Sequence, residues 1–385
     1  MKYLSVLSLG LLMMLTVSSA EPLTSSYDKV FEKNIQTLAS AHKLLPQSST
    51  YLKQLEDELL KAAPELSEES RKTLASQLFA KTQESLQNYI AQNPKSIFGK
   101  SPGEGAKDAQ EVFDFFGGSL LEQIHFFKNL EIKETFSLQK DFPTLADRSE
   151  LSKTDDVSII VFKSTGFIAD SSDALFFSSP LDLQLTTAHD HSFQNDKDER
   201  QTIHLSGVFK ISLKEAFTLS LQEVFGNSRL IFVNEEAYEK IKTKDESLKS
   251  EKLIFLHATI LHELQHLKDY FSTPELFSEA PIAVKAYREK FAELKKEDAE
   301  LKKFSEKKLA GLEILYIYLN SPVEGRAIQT EVEFLKSSGI SLNMILEEFT
   351  KRWYAGNTTK LTPEQIRAKL PRFAREKITE WFNHR

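Results

Sequence analysis

The chain of 385 residues contains no cysteine. This absence excludes disulfide bonds, catalysis by a thiol and metal sites with cysteine ligands. It also excludes a bacterial lipoprotein anchor, because that anchor is attached to a cysteine at the cleavage site. An exported chain of this composition therefore has to fold without disulfides.

An excess of positive charge is also missing. The chain has 49 lysines and arginines against 56 aspartates and glutamates, which gives a net charge of −7 at pH 7. A mildly acidic protein has no excess positive charge to attract the phosphates of nucleic acid, so we expect no nucleic-acid partner. The hydrophobic share of 41% is ordinary, so we expect a well-buried core rather than wholesale disorder.

Long hydrophobic runs are confined to the N-terminus. Lys2 precedes the apolar run Leu4–Val17, and the small residues Ser18 and Ala20 follow it. This pattern predicts a secretory signal peptide at residues 1–20. A membrane anchor is the weaker alternative, because the run is shorter than the roughly 20 residues that span a bilayer. We expect an exported bacterial protein, periplasmic or secreted, with no stable membrane span after cleavage.

The first part of the chain has a helical pattern. Apolar residues recur every three or four positions, as at Leu52 and Leu55, and charged residues lie between them. The richest glycine and proline stretch, at residues 98–108, is the best linker candidate. Another helix is predicted at about residues 109–130. We therefore predict a helical N-terminal region at residues 21–140.

The middle of the chain has a different pattern of residue types. β-Branched and aromatic runs bounded by turn residues predict strands. These runs are VSIIVF (157–162), ALFF (174–177), TIHLSGVF (202–209) and RLIFVN (229–234). From Glu235 onward the pattern is helical, and a last helix is predicted to begin at Thr362 and Pro363. The expected fold class is α+β, with the main domain at residues 150–340 and a helical extension at residues 341–385.

The stretch LHELQHLKDY contains an H-E-x-x-H pattern at His262, Glu263 and His266. With nine histidines in the chain, chance placement gives at most about 0.03 such matches. On a helix the i, i+4 spacing stacks the two imidazoles so that both can reach one metal ion. Glu263 is displaced sideways, where it can act on water without being a ligand, and Asp269 lies beside the histidines. The alternative is a polar helix surface.

Two histidines need a third protein ligand to hold a catalytic metal. The segment NSPVEGRAIQTEVEFL (320–335) places Glu324 and Glu331 on the helix face that should be buried. Buried carboxylates need a partner, and a metal with its histidines is one. We predict that Glu324 is the ligand and that Glu331 orients a histidine, with the reverse assignment left open. Alternatively, Ser321 and Glu324 form a helix-capping box without metal.

His262-Glu263-x-x-His266 followed by a glutamate on a later helix resembles the gluzincin branch of zinc metallopeptidases. The resemblance implies a zincin-like catalytic domain over about residues 155–339, with a small twisted sheet, an active-site helix and a second helix that brings Glu324. It departs from the thermolysin-like pattern because position 328 is isoleucine rather than aspartate.

From this resemblance and the predicted signal peptide we expect an exported zinc endopeptidase that cleaves a peptide or protein substrate. His262, His266 and Glu324 would hold Zn²⁺, and Glu263 would act as the general base toward water. Asp269 is an alternative ligand or, like Glu331, a residue that orients a ligand. The rival expectation is a non-enzymatic periplasmic binding or scaffold protein with an inactive or structural zincin-like domain.

Three further features carry weaker expectations. Tyr316 and Tyr318 precede the second helix and are candidate oxyanion donors, although a packed aromatic is the alternative for each. The predicted strand RLIFVN could pair with an extended substrate. His189 and His191, in AHDHSF, are interpreted as part of a surface loop rather than as a metal-binding pair.

Overall fold

The computed structural model describes most of the chain. It covers residues 27–45, 49–97, 120–151, 155–163, 173–177, 183–194, 199–241, 246–353 and 361–384. The predicted signal peptide (1–20), the predicted linker (98–108) and the start of the predicted helix at 109–130 lie outside the described residues.

Helices make up most of the described chain. In order they are α1 (Tyr27–Ser40), α2 (Ser49–Ala62), α3 (Glu68–Gln92), α4 (Leu120–Lys128), α5 (Leu138–Asp141), α6 (Pro143–Arg148), α7 (Lys214–Phe225), α8 (Glu235–Ile241), α9 (Glu246–Ser272), α10 (Glu275–Glu297), α11 (Glu306–Asn320), α12 (Glu324–Ser337), α13 (Leu342–Trp353), α14 (Pro363–Lys369) and α15 (Arg372–Asn383). Short 3₁₀ turns lie at Pro94–Ile97 and Leu301–Lys303.

The strands form two separate sheets. They are β1 (Glu131–Ser137), β2 (Ser158–Lys163), β3 (Ala174–Leu175), β4 (Leu183–Gln194), β5 (Arg200–Ile211) and β6 (Leu230–Asn234). The larger sheet has the order β1-β2-β6-β3, in which β2 and β6 are parallel and the other pairs are antiparallel. β4 and β5 form a two-stranded ribbon. The α+β class is therefore as expected.

Both faces of the larger sheet are covered. Ile160 and Phe162 of β2 belong to a core that also contains Phe31 of α1 and Phe127 of α4. Ile159, on the opposite face, belongs to a second core with side chains of α9 and α12. Strands that are buried on both faces have continuous apolar sequences, which is why β2 and β6 could be recognised in the sequence. The N-terminal helices thus share a hydrophobic core with the sheet.

Two local predictions are wrong. Residues 131–137, assigned to the helical N-terminal region, form strand β1. Their charged sequence EIKETFS gives little sign of a strand, and the pairing with β2 decides the conformation. His189 and His191 lie on strand β4 rather than on a loop, and His191 is buried with its Nε2 2.7 Å from the hydroxyl of Tyr51. A pairing with β5 along 12 residues orders this polar segment.

The four predicted strands are all present, although ALFF supplies only the two residues of β3. RLIFVN forms β6, which lies between β2 and β3 among the described strands and is therefore not an edge strand there. Among the described strands, β3 is the outermost on that side of the sheet. The predicted last helix begins as expected, because Thr362 caps α14 and forms a capping box with Gln365.

α9 and α12 are the elements that carry the candidate site. α9 is a helix of 27 residues, and it packs along α12 through buried side chains that include Leu264, Ile328 and Val332. Because both helices contribute to one rigid core, side chains projecting between them are held in a fixed relation. Across the described segments, no helix is both long enough and apolar enough to cross a bilayer.

Candidate metal centre

Four predicted site residues come from two helices. His262, Glu263 and His266 lie well inside α9, and Glu324 is the first residue of α12. One ligand atom from each of His262, His266 and Glu324 falls within a single cluster that could hold a metal ion. The sequence predicts the same three residues as ligands. Glu324 follows His266 by 58 positions in the chain.

The three donor atoms form a nearly equilateral triangle. The Nε2 atoms of His262 and His266 are 3.1 Å apart, and Glu324 Oε2 lies 3.4 Å from the first and 3.3 Å from the second. Tetrahedral coordination with bonds of about 2.0–2.2 Å separates neighbouring donor atoms by about 3.3–3.6 Å. The donors therefore stand close to the spacing that a small tetrahedral cation requires.

Charge and burial in this cluster oppose each other. His262 and His266 are each 7% exposed and Glu324 is 8% exposed. Burial disfavours the charged form of His262, but its contacts with Glu324 and Glu331 outweigh burial and raise its pKa to about 10. Burial likewise acts against ionised Glu324, yet the two histidines hold the pKa of this carboxyl well below its usual value. Because metal binding requires an unprotonated imidazole nitrogen, a metal ion at these donors would compete with protonation of His262.

The capping alternative for Glu324 is not supported by the contacts. Ser321 Oγ accepts a hydrogen bond from the Glu324 backbone N–H at 3.4 Å, which is one half of a capping box. The other half requires the Glu324 side chain to accept from the Ser321 backbone N–H. That N–H donates instead to the Ile317 carbonyl at 2.8 Å, and the Glu324 carboxylate faces the histidines.

Glu263 stands beside the donor triangle. Its Oε2 accepts a hydrogen bond of 2.8 Å from the backbone N–H of Phe176, the residue directly after edge strand β3. Burial raises the pKa of Glu263, and the electrostatic pull of His262 and His266 opposes that rise. A carboxylate whose proton affinity is raised, held in place by a backbone N–H, is suited to accept a proton.

Glu331 contacts the opposite side of the His262 ring. Its Oε2 lies 3.5 Å from His262 Nδ1, and its Oε1 accepts a hydrogen bond of 2.6 Å from the guanidinium of Arg352. Burial acts against the charged form of Glu331, but Arg352 and His262 outweigh burial and lower its pKa. Glu324 and Glu331 thus occupy different positions, and only Glu324 reaches both Nε2 atoms.

Asp269 is buried near the second histidine without joining the donor triangle. Its Oδ1 accepts from Gln265 Nε2 at 2.9 Å and lies 3.2 Å from the guanidinium of Arg326. Burial raises the pKa of Asp269, whereas Gln265 and Arg326 act to lower it. Among the described residues, Asp269 Oδ2 and the Nδ1 atoms of His262 and His266 have no hydrogen-bond partner, although Glu331 Oε2 lies 3.5 Å from His262 Nδ1.

The two candidate tyrosines lie in different environments. Burial raises the pKa of Tyr318 well above its usual value, and the nearby charges of Glu324 and Glu263 raise it further. Tyr316 packs in a separate aromatic cluster, with its ring 5.6 Å from that of Phe291. The structure therefore brings Tyr318, and not Tyr316, to the neighbourhood of the site.

Sequence reasoning missed two contributors. The backbone N–H of Phe176 leaves no trace in the sequence, because any residue except proline supplies one. Arg352 lies in the segment predicted as a C-terminal extension outside the main domain. A buried Glu331 signals that some cation must compensate it, but the sequence does not say which one.

No protein-family model, curated protein or solved structure matches this chain.

Proposed function

We propose that this protein is a zinc-dependent peptidase of the gluzincin type, exported from a bacterial cell. The observation that carries the proposal is the convergence of His262, His266 and Glu324 on one point, with Glu263 beside them and outside the donor set. Three protein ligands with one position left open, next to a carboxylate, is the arrangement that metal-assisted hydrolysis uses.

Zinc is the ion that best suits these donors. Two imidazoles argue against Mg²⁺ and Ca²⁺, which prefer oxygen ligands, and the chain has no thiolate to favour softer ions. The donor separations of 3.1–3.4 Å support a tetrahedral preference. On this proposal the sheet, α9 and α12 form a zincin-like catalytic domain.

The residues then have distinct tasks. Bound zinc would supply Lewis acidity, which lowers the pKa of water and polarises a peptide carbonyl. Glu263 accepts the proton of the attacking water and passes it to the amine that leaves. Tyr318 is the candidate donor to the oxygen that gains charge. An extended peptide paired with edge strand β3 would lie next to Glu263, since Phe176 follows that strand directly.

A second candidate function follows from the burial of the site. All three ligands are 7–8% exposed, which also suits a structural metal site in a binding or scaffold protein. Structural zinc sites normally close with a fourth protein ligand. Within the described residues, the convergent group contains three. The peptidase is therefore the better-supported function.

The deciding experiment measures metal and activity on the same preparation. The purified mature chain should contain about one zinc per molecule and should digest casein, an unstructured substrate. Activity should disappear with a chelator and return with added zinc. Zinc binding without hydrolysis of any unfolded protein would favour the binding or scaffold protein instead.

A further inference from the structure

Arg352 makes contacts with both helices that carry the metal donors. It lies on α13, within the predicted C-terminal extension. One guanidinium nitrogen donates to Glu331 of α12 at 2.6 Å. Another lies 3.3 Å from the hydroxyl of Thr259, which precedes His262 by three residues on α9. A single planar group therefore connects α9 and α12 on the far side of the donor triangle.

The charge of Glu331 makes this connection important. Its side chain is 2% exposed, so an uncompensated carboxylate there would be costly. Arg352 compensates that carboxylate through its Oε1, and the other oxygen, Oε2, faces His262 Nδ1 at 3.5 Å. Carboxylates that contact the outer nitrogen of a metal-binding imidazole fix the orientation of the ring.

We propose that Arg352 is a positioning residue for the metal centre, acting through Glu331 on His262 and through Thr259 on α9. The C-terminal extension then contributes to metal binding, because it supplies Arg352. This inference rests on the proposed function to the extent that the triangle binds zinc, and it does not require peptidase activity.

Arginine is suited to this role because of its shape. The guanidinium presents several N–H donors in a rigid plane, so it can bond a carboxylate and a hydroxyl at the same time. A lysine keeps the charge but concentrates it on one nitrogen. Arg352→Lys therefore separates the need for a cation from the need for a bridge.

The test measures the zinc dissociation constant of the full mature chain by competition with a chromophoric chelator. Arg352→Gln should weaken zinc binding about 10–100-fold, the usual effect of losing a partner that orients a ligand. Lys351→Gln is the matched control, since it removes the same charge from the neighbouring position, where Lys351 pairs with Glu347 on the same helix. The control should stay within about twofold of wild type.

A double-mutant cycle tests whether Arg352 acts through Glu331. In a Glu331→Ala background, Arg352→Gln should cost clearly less affinity than it costs in wild type, because the contact through Glu331 is already lost and only the contact with Thr259 remains. An equal loss in both backgrounds would show an independent effect and overturn the inference. If Arg352→Gln does not fold, Arg352→Lys replaces it. The lysine variant should bind zinc more weakly than wild type, and unchanged affinity would refute the bridging role.

The outcomes separate this inference from the proposed function. If wild type binds no zinc, the metal centre itself is wrong. If wild type binds zinc but cleaves nothing, only the peptidase fails, and the Arg352 measurement still applies. If folded Arg352→Gln binds zinc as tightly as wild type does, only the positioning role is refuted.

Discussion

Replacing Glu263 by glutamine tests whether metal binding and proton transfer depend on different residues. The amide has the same shape as the carboxylate, and its oxygen can still accept from the Phe176 N–H, which is now 2.8 Å from Oε2. Glu263 is not one of the three convergent donors, so the variant should keep the same zinc content as wild type. What it loses is the capacity to take up a proton.

The expected loss of activity follows from that missing step. Positioned acid–base groups contribute about 10²–10⁴-fold, which corresponds to about 3–5 kcal/mol of transition-state stabilisation. The measurement compares casein digestion rates for wild type, Glu263→Gln and the control Glu251→Gln, which changes an exposed residue of the same helix. The control should retain full activity.

Although Glu263→Gln should lose activity, it should be more stable to heat than wild type in the absence of metal. Burial raises the pKa of Glu263 above 4.5, so the folded metal-free protein binds this proton more tightly than the unfolded chain does. Stability is therefore lost as the pH rises from 4.5 through the raised pKa, and glutamine avoids that loss. In chelator, Glu263→Gln should melt at a higher temperature than wild type at pH 7, and the advantage should shrink toward pH 4.5.

A Glu263→Gln protein that binds zinc and digests casein within about threefold of the wild-type rate would refute the assigned role, because a lost general base costs far more than that. A variant that loses zinc would instead place Glu263 among the ligands. Only the second outcome would require the donor set of His262, His266 and Glu324 to be revised.

Three further predictions concern single positions. Glu324→Gln should weaken zinc binding in competition titrations by at least about 10³-fold, more than the 10–100-fold of an orienting partner. Burial lowers the pKa of His257, so below pH 6.5 the folded protein must lose stability relative to His257→Leu in denaturant titrations. A Cβ on Gly207 would stand 2.1 Å from the Tyr51 ring, so Gly207→Ala should cost about 1–3 kcal/mol in the same assay. Wild-type values would contradict each prediction.

The sequence by itself determined the features that depend on local patterns. Strands β2 and β6 are apolar on both faces, and the start of α14 has its own capping residues, so each could be recognised without tertiary context. His262 and His266 are one helical turn apart, which is a local relation. Glu324 and Glu331 also came from the sequence, through their place on a helix face that had to be buried, and Glu324 was preferred because it lies at the start of that helix.

The tertiary structure decided what depends on contacts between distant segments. β1 and β4 are polar strands, ordered by their partners rather than by their own residues. Glu324 and Glu331 share a helix face, and only the packing of α12 on α9 brings one of them to both histidines. Arg352 reaches the site from another helix. A buried charge requires a partner of opposite charge, but the tertiary fold decides which residue becomes that partner.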